Sequence, residues 1–122
     1  MGNHVLVSLY GAAFSILDDI EGMKDAFDRA CKAMNATVLH KFAYKFEPQG
    51  VTIVYALSES HISAHSFPEL GSITLDCYTC GHMNPRVGME VLIQHFNPER
   101  VHIEEVSRDK EKEACERSTQ EP

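Results

Sequence analysis

The sequence predicts a single α+β domain, a two-layer sandwich in which two helices cover one face of a mainly antiparallel sheet. Three observations carry this. The 122 residues suit one core and are short for two. Two stretches repeat their apolar residues at helical spacing, and the remaining apolar segments alternate like strands. The resulting order is β-α-β-β, an irregular segment, then β-α-β, with related layouts in the two halves but no sequence repeat.

The first apolar segment, His4 to Tyr10, reads as a strand. Ser15 opens a capping pattern with Asp18 three residues on, and Ile16, Leu17, Ile20, Met23, Phe27, Ala30, Cys31 and Met34 follow at helical spacing. One amphipathic helix is expected from Ser15 to Asn35. In Thr37 to Phe46, Val38, Phe42, Tyr44 and Phe46 fall on one face and Lys41 and Lys45 on the other, a strand with one wet face. Glu47-Pro48-Gln49-Gly50 is a turn, and Val51 to Leu57 completes a hairpin.

Ser58 to Gly71 shows no clear periodicity and is expected to be an irregular polar connection. Strand alternation returns in Ser72 to Tyr78, with Ile73, Leu75 and Cys77 on one side. Asn84 and Pro85 suit the N-cap and first position of a second helix, whose buried stripe is Met89, Leu92, Ile93 and Phe96. Asn97-Pro98 stops it, and Val101 to Val106 is a last strand. The domain is therefore expected over residues 1–106, with 107–122 a polar, disordered tail. Helices on one sheet face leave the other bare, and an apolar bare face suggests a dimer.

The formal charge is −7 with no basic stripe, which argues against a nucleic-acid or anionic-membrane partner. No apolar run approaches the roughly 20 residues that span a bilayer. The N-terminus lacks the basic-then-apolar pattern of a secretory leader, so a cytoplasmic location with Cys31, Cys77, Cys80 and Cys115 reduced is expected.

The chemistry-bearing stretch is Ser58 to Glu69, followed by Asp76-Cys77-Tyr78-Thr79-Cys80-Gly81. On residue types alone several readings stay open. It is a polar connecting loop, or Cys77-x-x-Cys80 joins His61, His65 or His82 in a metal site, or the same pair is a redox dithiol. Serine hydrolysis lacks its G-x-S-x-G elbow.

Glu59-Ser60-His61-Ile62-Ser63-Ala64-His65-Ser66-Phe67-Pro68-Glu69, with Asp76-Cys77-Tyr78-Thr79-Cys80-Gly81, resembles the signature of the prokaryotic S-adenosylmethionine decarboxylases. That signature reads E-S-H-[IL]-x-[IL]-H-T-x-P-E, then D-x-[FY]-T-C-G. Gly2-Asn3-His4 matches the G-x-H of the family's first strand.

The resemblance implies a proenzyme that cleaves itself between Glu59 and Ser60, giving chains 1–59 and 60–122. Ser60 becomes a pyruvoyl group, a backbone ketone that takes the substrate amine as a Schiff base. It implies that Cys80 is the proton donor, that His65 assists processing, and that Thr52 supports it with a hydroxyl. Glu69, Phe46 and Phe67 are implied in substrate binding, and no metal is implied. The partners implied are S-adenosylmethionine and a second αβ unit in a homodimer with active sites at the subunit interface. Three departures stand out: Ser66 for threonine, Ala64 for a branched residue, and Leu70-Gly71-Ser72 for an aromatic Y-G-Y stretch. The last motivates one alternative, a pyruvoyl decarboxylase of arginine or ornithine; a second alternative, an unprocessed, non-catalytic homologue, is opposed by the retained Glu59, Ser60, His65 and Cys80.

Overall fold

The apolar stripe and the caps fix where the helices lie. In the computed structural model, which describes residues 2–108, α2 spans Ile20–Ala33 and buries Met23, Phe27, Ala30 and Cys31. Burying a side chain such as Phe27 stabilises the fold by about 1.5–3 kcal/mol. The expected single helix from Ser15 is interrupted, because Asp19 rather than Ser15 is the cap, accepting from the Gly22 amide at 3.1 Å. A four-residue α1, Phe14–Leu17, precedes it and has no side-chain cap. Asp18 is drawn instead to the Gly50 amide and Lys45 at 2.8 and 3.1 Å. The third helix, α3, spans Pro85–Phe96, with Asn84 as N-cap and Met89, Leu92 and Phe96 buried as the sequence predicts, while Ile93 of the expected stripe is only partly buried.

Six strands complete the domain: β1 (Gly2–Tyr10), β2 (Val38–Lys45), β3 (Val51–Leu57), β4 (Ser60–Phe67), β5 (Ser72–Cys80) and β6 (Arg100–Ser107). They form one sheet in the order β2-β3-β4-β5-β1-β6, and every neighbouring pair is antiparallel. This is the expected two-layer α+β sandwich. The last strand extends to Ser107, one residue into the stretch read as tail, and residues 109–122 lie outside the described residues.

The stretch read as irregular is a regular strand, β4. Its core-side positions are Ile62, Ala64 and Ser66, so only one large apolar residue marks the period. Ser66 is buried because its hydroxyl accepts from the Val51 amide at 2.9 Å and donates to the Leu17 carbonyl at 2.7 Å.

The faces of β2 are the reverse of a simple wet and dry pair. Lys41 and Lys45 lie on the helix side, where Asp28 and Asp18 meet them at 2.9 and 3.1 Å. Phe42, Tyr44 and the following Phe46 face away from the helices and are about half exposed. They join Leu6, Tyr10 and Phe67 on a sheet face that no helix among the described residues covers.

Candidate active site

Ser58 and Glu59 alone connect β3 to β4, with Leu57 paired to Ser60 across the turn. So tight a turn forces Glu59 to φ +59°, the left-handed region that costs a residue with a side chain roughly 1–2 kcal/mol. Ser60 shares the helix side of the sheet with its partner Leu57. Its hydroxyl is buried and makes no hydrogen bond among the described residues. A buried, unpaired hydroxyl calls for an explanation, and here it stands beside a strained peptide link.

Alternation along the strands sends His61, Ser63 and His65 of β4 and Asp76, Tyr78 and Cys80 of β5 to the bare face. At the Ser60 end of the sheet lie His61, paired with Tyr78, and Asp76, Tyr78 and Cys80 on β5. The Cys80 thiol reaches the Tyr78 hydroxyl at 3.5 Å. Asp76 accepts from His4 Nε2 at 2.7 Å, from His61 Nε2 at 3.1 Å and from the Ser63 hydroxyl. Its partial burial alone would raise its pKa. The hydrogen bonds from Ser63, His4 and His61 outweigh that and hold it below the usual carboxylate range.

The remaining predicted residues gather at the opposite end. His65 Nδ1 and Thr52 Oγ1 are 3.0 Å apart. Phe46, whose amide donates to the Gly50 carbonyl at 2.8 Å, lies just past β2. Phe67 ends β4, and Glu69 sits exposed in a short 3-10 turn, Pro68–Leu70. His65 lies five residues along β4 from Ser60, about 17 Å at 3.3–3.4 Å per strand residue. The expected partners Ser60 and His65 are thus not brought together within one chain.

The CxxC readings fail on geometry. Cys77 is fully buried on the helix side, 3.7 Å from the Met34 sulfur, and burial pushes its thiol up to about 12. Cys80 lies on the other face, so the two sulfurs do not converge on one ligand.

Sequence reasoning gave His4, Asp76 and Tyr78 no chemical part and His61 only a place in the CxxC metal reading, yet the fold joins them. The signal was present: each stands in one of the matched motif blocks, at Gly2-Asn3-His4, Glu59-Ser60-His61 and Asp76-Cys77-Tyr78.

Fold and site together define a small α+β sandwich that carries its polar chemistry on a bare sheet face. Residues 3–109 match the family model described as S-adenosylmethionine decarboxylase. A relative named S-adenosylmethionine decarboxylase proenzyme, from Brevibacillus brevis, is 41% identical over 88% of this chain and 81% of its own length. A protein of the same name from Methanococcus maripaludis is 38% identical over 88% of this chain and 89% of its own. The adenosylmethionine decarboxylase structure from Aquifex aeolicus superposes with a TM-score of 0.82 at 35% identity, covering 88% of this chain and 90% of that one. The chain belongs to the S-adenosylmethionine decarboxylase family.

Proposed function

We propose that this chain is a proenzyme that cleaves itself between Glu59 and Ser60 and then decarboxylates S-adenosylmethionine. The carrying observation is the buried, unpaired Ser60 hydroxyl beside a left-handed Glu59. The hydroxyl attacks the Glu59 carbonyl, and the acyl group moves from the Ser60 nitrogen to its oxygen. Loss of the Ser60 Cα proton then expels the Glu59 carboxylate. Water replaces the freed nitrogen as ammonia, leaving a ketone at position 60. The strain at Glu59 is relieved as the link opens, which favours the forward direction.

The residues present suit such a group, since position 60 lies at a strand end beside Cys80. A ketone there supplies the electron sink that decarboxylation needs and no standard side chain offers. Cys80 supplies the proton to the substrate carbon from the same sheet end. Glu69, Phe46 and Phe67 take the substrate's ribose or cationic part and its adenine. Both aromatics are exposed and free to stack on a ligand.

His65 and Thr52 serve Ser60 from a second copy. In a two-fold pairing of bare faces, the His65 end of one chain meets the Ser60 end of its partner, which completes two identical sites. The exposed Leu6, Tyr10, Phe42, Tyr44, Phe46 and Phe67 supply the apolar surface for that pairing. The comparisons favour S-adenosylmethionine over arginine or ornithine, although Leu70 is exposed beside Glu69 where the family has an aromatic. A cytoplasmic location and a catalytic domain ending with β6 belong to the same reading.

Denaturing mass spectrometry tests the cleavage, with two fragments split at 59/60 and a blocked N-terminus on the larger expected. A single intact chain from active protein overturns it. Release of labelled carbon dioxide from S-adenosylmethionine, compared with arginine and ornithine, tests the substrate.

A further inference from the structure

Cutting the Glu59–Ser60 bond opens the β3–β4 hairpin at its turn. Position 60 becomes a free strand end, and its own N–H is lost to the ladder. Strand ends without a turn fray, with opening free energies near zero. The reactive group would then sit on the least ordered residue of the strand.

The bare face carries a device at this point. His61, the next residue, sends Nε2 to Asp76 at 3.1 Å, and its ring stacks on Tyr78 with centroids 6.0 Å apart. Asp76 on β5 also holds Ser63 of β4 and His4 of β1. One carboxylate therefore ties together three adjacent strands, β4, β5 and β1. His4 belongs to fragment 1–59 and the rest to fragment 60–122, so the tie also crosses the cut chain.

The protons can be placed. Arg108 has only donors, and its Nη1 lies 3.3 Å from His4 Nδ1, so that nitrogen accepts. His4 is then neutral with its proton on Nε2, aimed at Asp76. Asp76 as a carboxylate only accepts, so His61 Nε2 is protonated as well. The three groups lie within 4.8 Å of one another, as in a cation site. Arg108 at the outer nitrogen of His4 argues for hydrogen bonds instead, because a metal-bound histidine needs an acceptor there.

We propose that His4, His61 and Asp76 form a three-strand clip that fixes the new chain end after cleavage, with His61 and Asp76 as positioning residues for the group at position 60. The proposal rests on the self-cleavage reading. Tyr78, stacked on His61 and touching Cys80, ties the clip to the proton donor, so the same contacts align both partners of the reaction.

The test uses the full chain in five forms: wild type, Ser60→Ala, His61→Phe, His61→Gln and His4→Phe. Denaturing mass spectrometry first scores cleavage, and hydrogen exchange then follows the amides of residues 61–63. Ser60→Ala, uncleaved, sets the intact-hairpin rate. Cleaved wild type is expected to stay within a few-fold of it, and cleaved His61→Phe to exchange roughly tenfold faster, the scale of one charge-assisted hydrogen bond. His61→Gln keeps a donor and is expected to restore protection. In His61→Phe kcat falls while KM changes little, because the substrate-binding end of the sheet is untouched. His4→Phe, on β1 two strands from the cut bond, is expected to raise exchange in the same amides and decides the matter if His61→Phe does not cleave. Cleaved variants that exchange like cleaved wild type overturn the clip alone. An uncleaved wild type overturns the processing reading and the clip with it.

Discussion

Co-expressing Ser60→Ala with His65→Ala asks whether one chain's His65 acts on another chain's Ser60. Five strand residues separate the two positions, about 17 Å, against the 2.7–3.2 Å that a proton transfer through a hydrogen bond requires. No side-chain rotation closes that gap, and β4 is paired on both sides along its length. Each variant alone is expected to cleave poorly or not at all. In a mixed two-fold dimer of the proposed kind, the intact Ser60 end of the His65→Ala chain would meet the intact His65 end of the Ser60→Ala chain, and one site would be whole. Random pairing at equal expression makes half the dimers mixed, so about a quarter of all chains should be cleaved, every one carrying His65→Ala. Intact-mass measurement reads this directly, because the two variants differ in mass. Cleavage of His65→Ala expressed alone at the wild-type rate removes His65 from processing. No cleavage in the mixture, with mixed dimers demonstrated, refutes the cross-subunit arrangement.

Four further outcomes are expected. Cys80→Ala should cleave normally but lose about 10²–10⁴-fold in decarboxylation, read as labelled carbon dioxide release; full activity removes Cys80 as the proton donor. Ser66→Ala leaves the Val51 amide and the Leu17 carbonyl without their partner, and should lower stability by about 1–3 kcal/mol in urea unfolding. Asp19→Ala removes the α2 cap and should cost about 1 kcal/mol by the same measurement, whereas Ser15→Ala should cost almost nothing. Burial, with help from the Arg29 charge, lowers the His95 pKa below 6.5. Its contribution to stability is intact above pH 6.5 and is lost as pH falls from there through the lower folded value. His95→Gln should flatten that part of the stability curve, and an unchanged slope between pH 7 and 5 counts against it.

Elements with strong periods and strong caps are legible in the sequence alone. Asn84-Pro85 and the Met89, Leu92, Phe96 stripe fix α3, and Val51 to Leu57 alternates cleanly because Val51, Ile53, Tyr55 and Leu57 all face the core. The failures have specific causes. β4 hides its period because Ala64 and Ser66 occupy core positions, one through size and the other through two hydrogen bonds that a sequence does not display. On β2, lysines at the helix side and aromatics on the bare face invert the usual assignment. Asp28 on α2 and Asp18 between α1 and α2 pair with Lys41 and Lys45 at the sandwich edge. Ser15 is the expected cap, but its partner Asp18 is engaged by the Gly50 amide and Lys45, and Asp19 caps α2 instead.

The same β4 result changes what the motif means. Read as a loop, Glu59 to Glu69 would gather its serine, histidine and carboxylate around one point. Read as a strand, it holds them apart along a rigid line, with the cleavable bond at one end and the aromatic and acidic binding groups at the other. A single copy then carries two half-sites, and neither holds the full set of residues that the motif implies. Joining them takes an antiparallel pairing of two bare faces, and those faces expose the aromatics that such pairing would bury. If the proposed roles of Ser60 and His65 hold, cleavage is contingent on assembly. On the proposed reading, a lone chain, with its Ser60 hydroxyl buried at the opposite end of β4 from His65, would be held as the uncut precursor until its partner arrives.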